Sequence, residues 1–253
     1  MTDGFTEDDG GKGDVPSLEI CGGLARIELR RPRQHNRLEA ADTAILAEHV
    51  AAVAADHTVQ LLIITGQGEK TFSSGYNVSE IVKHLDNSFE KLLDAVEAIE
   101  VPTLCALNGS VYGGATDLAL ACDFRIGVSG SRMSMPAAKL GLCYYPGGLR
   151  RYFTRLGLTQ AKKLFLTGMA IDAEEMKRIG FLTELVEPAE LDATVKRYSD
   201  AILDCETGAL RSMKRNLNQL ADACFDAQRA GQEYLDSLSS TVLRERLASK
   251  LAP

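Results

Sequence analysis

No CxxC pair and no cysteine–histidine spacing suited to zinc occurs in this chain of 253 residues, although it has six cysteines, Cys21, Cys105, Cys122, Cys143, Cys205 and Cys224. A structural zinc site needs clustered donors, so no metal is expected. Most of the cysteines have apolar sequence neighbours and read as buried free thiols of a reducing compartment. Also missing are a secretory apolar segment and any apolar run long enough to span a bilayer. The expectation is a cytoplasmic protein without a membrane partner. Positive charge is in short supply: 28 Lys and Arg face 35 Asp and Glu, a formal net charge of −7. Nucleic-acid binding needs a basic stripe, so no nucleic-acid partner is expected. The local cluster Arg30, Arg31 and Arg33 can still meet a phosphorylated small molecule. Internal repeats are lacking, and low complexity is confined to residues 1–14, acidic and glycine-rich, which read as a disordered tail.

What is present has the balance of a soluble globular protein, 45% hydrophobic and 25% charged. Short strands are expected at 17–21 and 24–29, joined by a Gly22-Gly23 hairpin turn. A basic loop over 30–37 precedes a helix over 39–56, with Leu46, Val50 and Val53 on one stripe. The run VQLLIIT at 59–65 reads as a strand buried on both faces. A Gly/Ser-rich loop, a helix over 78–99, a strand at 102–107, a helix opening behind Gly113 and a strand at 122–128 follow. Strands alternating with helices give an α/β fold with parallel strands, whose ligands bind at the carboxyl ends. From about 146 the pattern is helical. Thr159 and Asp172 read as N-caps, Asp172 paired with Glu175, and Gly168 and Gly180 as helix stops. A strand at 183–186 precedes helices over 188–204, 208–222 and 225–250. The division is an α/β core over 15–189 and a helical region over 190–253.

The most informative stretch is NGSVYGGATDLALACDF, residues 108–124. Backbone N–H groups at a helix start have no intrahelical acceptor and sit at the positive end of the helix dipole. A glycine pair lets a ligand approach them closely. Neighbouring parallel strands put their ends side by side, so the amides of Tyr76 and Gly114 can converge on one oxygen and stabilise a developing oxyanion. Asp117 projects a carboxylate one turn into the helix. On composition and spacing alone, two tight turns whose glycines serve only backbone geometry are the preferred reading.

Taken together, several segments resemble the enoyl-CoA hydratase/isomerase family, the crotonases. They are Arg31-Pro32 with Asn36-Arg37-Leu38, Thr65-Gly66 with Ser73-Ser74-Gly75-Tyr76-Asn77, and Asn108-Gly109 with Gly113-Gly114-Ala115-Thr116-Asp117. Ala138-Lys139-Leu140-Gly141 and Leu166-Thr167-Gly168 complete the set, so the resemblance covers most of the chain. It implies a spiral of repeating strand–strand–helix units with a helical C-terminal region, assembled as a homotrimer or a hexamer. It also implies an acyl-CoA thioester as substrate, coenzyme A entering only as part of it, with no other cofactor. The thioester oxygen would lie on the amides of Tyr76 and Gly114. Arg33, Leu38 and Ser74 would contact coenzyme A.

The departures from the family pattern bear on the reaction. Hydratases of the family use two glutamates; the first position corresponds to Asp117 and the second to Ala137, which can neither accept nor donate a proton. Tyr144 follows in a stretch resembling the decarboxylase branch, where loss of CO₂ makes the enolate without a base. A hydratase-type lyase is placed first because Asp117 keeps the position of a water-activating carboxylate. A malonyl-type decarboxylase using Tyr144 is the alternative, and a non-catalytic acyl-CoA-binding protein is the third. Of the histidines, His35, His49 and His57 match no catalytic position, and His84 is an outsider close to the Tyr76 loop. Asp123 is expected to satisfy backbone groups at a strand start.

Overall fold

The computed structural model describes residues 13–77, 79, 86–243 and 245. An antiparallel hairpin of β1 (Ser17–Cys21) and β2 (Leu24–Leu29) opens the fold, turning at Gly22 and Gly23 with φ of +58° and +83°. A 3₁₀ turn (Pro32–Gln34) leads to α1 (Ala40–Ala55), capped by Glu39 and Asp42 in a capping box. Strand–strand–helix units then succeed one another. They are β3 (Leu61–Gly66), β4 (Thr71–Ser73) and α2 (Asn87–Ala98), then β5 (Thr103–Leu107), β6 (Ser110–Tyr112) and α3 (Gly114–Ala121), then β7 (Phe124–Val128), β8 (Arg132–Ser134) and α4 (Pro146–Leu156). The chain continues through α5 (Leu158–Thr167), β9 (Ile171–Asp172), α6 (Ala173–Arg178), β10 (Glu184–Val186), α7 (Leu191–Leu203), α8 (Thr207–Ala221) and α9 (Ala227–Ser239).

The first strands of the units build one sheet, in the order β1-β2-β3-β5-β7-β10, and the second strands build another, β4-β6-β8-β9. From β2 to β10 the large sheet is parallel. Every residue of β3 and β5 is buried, as the unbroken apolar runs require. Strand alternation splits β3 between two cores: Leu62 and Ile64 pack towards α1 and α2, Leu61 and Ile63 towards Leu191, Val195 and Ile202 of α7. The α/β spiral with a helical C-terminal region is the architecture the resemblance implied.

Several local expectations need correction. Thr159 does not cap α5, because Gly157, at φ +79°, turns α4 directly into α5 and is itself the N-cap. Asp172 does cap α6, accepting the Glu175 N–H at 2.8 Å, and Gly168 closes α5 in the left-handed region. The helix read over 78–99 is α2 from Asn87, with Asp86 as its cap; residues 78 and 80–85, His84 among them, lie outside the described residues. So do residues 1–12 of the acidic tail. The helix read over 225–250 is α9 in its described part, ending at Ser239. Only Cys105 and Cys122 are buried; Cys21, Cys143, Cys205 and Cys224 are exposed on an edge strand, a loop and two helix ends. Apolar sequence neighbours do not fix which side of an element a cysteine occupies. No described helix is long and apolar enough to cross a membrane.

Candidate active site

Backbone hydrogen bonds lace the 31–38 loop to the Tyr76 loop. The Leu38 N–H donates to Gly75 O at 2.9 Å, the Asn77 N–H to Leu38 O at 2.8 Å and the Ser74 N–H to His35 O at 2.8 Å. Asn36, buried at φ +48°, ties the corner: its Oδ1 accepts the Arg31 N–H, and its Nδ2 donates to Gln67 O and Thr71 O. Gly75 then touches the next unit. A Cβ there would lie 2.5 Å from Tyr112 O and 3.1 Å from Gly114 N, so only glycine, at φ +87°, allows the two loops to meet. The start of α3 is thus brought beside Tyr76. Phe89 of α2 supports it from below; a Cβ on Gly114 would come within 2.9 Å of the Phe89 ring.

Above this junction lies a cavity of about 370 Å³, lined by Ser74, Tyr76, Gly114, Tyr144 and Tyr145 among others. Met135, Ala137, Leu140 and Leu142 give it an apolar wall. Asp117 stands one layer behind the lining and is fully buried. Arg151 of α4 grips it, Nε donating to Oδ1 at 2.9 Å and Nη2 to Oδ2 at 3.1 Å. The Tyr145 hydroxyl donates to Oδ2 at 2.6 Å, and the hydroxyls of Tyr144 and Tyr145 are 2.9 Å apart. Burial, reinforced by the Asp117 charge, pushes both phenols above their ordinary pKa, Tyr144 far above it. Both therefore keep their protons near neutral pH and act as donors. Arg151 also binds Asp94 at 2.6 Å and Glu97 at 3.2 Å. Burial by itself would lower its pKa; the bonds and charge of Asp117, with the bond to Asp94, reverse that and raise it.

A family model described as Enoyl-CoA hydratase/isomerase matches residues 19–243. The chain belongs to the enoyl-CoA hydratase/isomerase family. Crotonyl-CoA hydratase of Syntrophomonas wolfei is 34% identical over 203 residues, 78% of each chain. Short-chain-enoyl-CoA hydratase of Clostridium acetobutylicum is 31% identical over 211 residues, 80% of each. Among solved structures, an enoyl-CoA hydratase from Bacillus anthracis superimposes with a TM-score of 0.79 at 25% identity, covering 90% of this chain and 91% of that one.

The residues expected from the sequence do not all meet at the cavity. Ser74, Tyr76, Gly114 and Tyr144 come together on the cavity, with Ala137 beside them. Leu38 is buried with its N–H and C=O both engaged, so it holds the Tyr76 loop in place and offers no side chain to a ligand. Arg33 is exposed on the 3₁₀ turn, outside the cavity lining. Asp117 is in its expected helical turn, but it is absent from the cavity lining; its carboxylate is engaged by Arg151 and Tyr145, with the Tyr144 hydroxyl at 3.5 Å. His35 and His49 are bonded to Thr71 and to Pro16 O, and Asp123 accepts the Thr103 N–H at 2.7 Å, the strand-start role expected of it. Tyr145, Arg151 and Glu90 escaped the sequence reading. Arg151 sits three residues beyond Gly148 in LRRYF, so helical spacing could have placed it on the inner face. No local pattern marked Glu90.

Proposed function

We propose that this chain processes acyl-CoA thioesters as a hydratase-type lyase, adding water to a 2-enoyl thioester through an enolate held by the amides of Tyr76 and Gly114. The observation that carries the reading is the contact of the two glycine loops at Gly75 and Gly114 on the floor of an apolar cavity. As water adds to Cβ, negative charge grows on the thioester oxygen. Two fixed N–H groups, one at the positive end of α3, stabilise that charge more than the ground state. Tyr144, protonated and hydrogen-bonded to Tyr145, is the donor to Cα. Asp117 and Arg151 hold that pair of phenols from behind. Arg33 meets the coenzyme A phosphates from the exposed turn, and Ser74 lies along the acyl-CoA at the cavity.

Decarboxylation of a malonyl-type thioester is the second reading, favoured by the engagement of Asp117 with Arg151, since loss of CO₂ needs no base. The charge of the cavity argues for hydration first. Its described lining contains Asp86 and Glu90 and no Lys, Arg or His, a poor match for a substrate carboxylate. Assembly as a homotrimer or hexamer belongs to the same proposal; exposed Phe153, Leu158, Leu166 and Met169 supply apolar surface for a second copy to cover. The test is mass spectrometry of a mixed panel of enoyl- and malonyl-type CoA thioesters after incubation. Gain of one water supports the hydratase, loss of CO₂ replaces it with the decarboxylase, and an unchanged panel with tight calorimetric binding favours a binding protein.

A further inference from the structure

With Asp117 engaged and alanine at 137, hydration lacks a base for the attacking water. The described lining of the cavity has two carboxylates, Asp86 and Glu90. Asp86 is exposed and caps α2, accepting the Ser88 N–H at 2.8 Å. Glu90, one turn further along α2, is half-buried and directly follows Phe89. Phe89 fixes where Glu90 stands relative to the oxyanion amides. Its ring meets Gly114 from below and lies edge-on to Tyr76 at 5.7 Å and to Tyr145 at 6.4 Å. On the other side, Glu90 Oε1 accepts the Gly147 N–H at 2.9 Å in the first turn of α4, the helix that Tyr145 opens. The carboxylate is therefore held by a backbone donor at a helix N-terminus, bordering the same cavity as the phenols.

We propose that Glu90 is the catalytic base that activates water, a role the family pattern would place at position 117. The proposal rests on the hydration reading above. Glu90 takes one proton of the water as the oxygen lone pair forms the bond to Cβ. The π pair of the alkene moves to the Cα–carbonyl bond, and the carbonyl pair moves to the thioester oxygen. Cα then takes the phenolic proton of Tyr144 as the thioester re-forms. The phenolate regains a proton from solvent and Glu90 releases its own, so the net change is one water added. Charged groups around Glu90 are Asp86, Asp94 and Glu97 along its own helix, Arg150 and Arg151 on α4, and Arg215 and Asp222 on and just after α8, with the phenols of Tyr144 and Tyr145 across the cavity.

The decisive variant is Glu90→Gln, which keeps an oxygen acceptor for the Gly147 N–H and removes the base. With crotonyl-CoA as probe, kcat should fall on the order of 10²-fold or more. KM and the melting temperature should stay near wild type, and the acid limb of the wild-type pH–kcat profile should vanish. Wild-type kcat with an intact acid limb in the variant would reduce Glu90 to a tie between α2 and α4. If the variant fails to fold, Glu90→Ala with added formate decides, because failure of formate to restore water addition overturns the assignment. A wild-type protein that hydrates no 2-enoyl thioester overturns the hydration reading and this inference together; hydration unaffected by Glu90→Gln overturns the inference alone.

Discussion

Arg151 holds Asp117 through two hydrogen bonds, 2.9 Å to Oδ1 and 3.1 Å to Oδ2, and neither side chain reaches solvent. Both oxygens of that carboxylate are thereby taken up by donors inside the fold, Oδ2 also by the Tyr145 hydroxyl. The residue that sequence placed first as acid/base is thus the anchor of the tyrosine pair. Asp94 and Glu97 complete the arginine's coordination and extend the network to Arg150 and Arg155 on the same helix.

Asp117→Asn should lower stability by about 3–5 kcal/mol, the usual penalty for leaving one member of a buried pair uncompensated. Thermal and denaturant unfolding measure it. Unchanged stability would show that Asp94 and Glu97 suffice for Arg151.

Tyr144→Phe should slow water addition by about tenfold or more, roughly 1.4 kcal/mol, with little change in KM. Tyr145→Phe should also lower kcat, because Tyr144 loses its hydroxyl neighbour at 2.9 Å. Steady-state kinetics on crotonyl-CoA read both. An unaffected Tyr144→Phe enzyme would leave the ring as packing only.

Gly114→Ala puts a methyl carbon 2.9 Å from the buried Phe89 ring, so the ring or the α3 amide must shift. Loss of one oxyanion donor costs on the order of 10²–10³ in rate. The prediction is that kcat drops within this range while calorimetry still records acyl-CoA binding. A variant with full activity would remove the Gly114 amide from the reaction.

Acid should unfold the protein partly through Glu97. Burial pushes its pKa up, but the Arg150 hydrogen bond and the charges of Arg151 and Arg155 outweigh that and bring it below its ordinary 4.5. A carboxylate with a folded pKa below its unfolded one adds stability that is complete above about pH 4.5 and lost as pH falls through the folded pKa. The stability gap between wild type and Glu97→Gln should therefore shrink below pH 4.5. A gap constant from pH 7 to pH 3 would contradict the assignment.

The fold was legible where period and punctuation were long. The continuous run of β3, the stripe of α1 and the glycine turn before α3 each occupy enough residues to declare their geometry. The strands β4, β6 and β8 have three residues each, too few for alternation to show, and they pair only because the spiral stacks them. At the site, Gly75 and Gly114 were legible because close backbone approach demands glycine. The partners of Asp117 were not. Tyr145 and Arg151 lie 28 and 34 residues downstream of it, and Glu90 lies on a separate helix whose register depends on Phe89 packing under Gly114.

Gly148 limits which neighbouring sequences this site can pass through. A Cβ there would stand 2.2 Å from the Tyr144 ring and 2.8 Å from Asp117 Oδ2, so aspartate, tyrosine and glycine fill that corner as one interlocked piece. A side chain at 148 would therefore have to displace Tyr144, Asp117 or both, so a change at one of these three positions is felt at the other two.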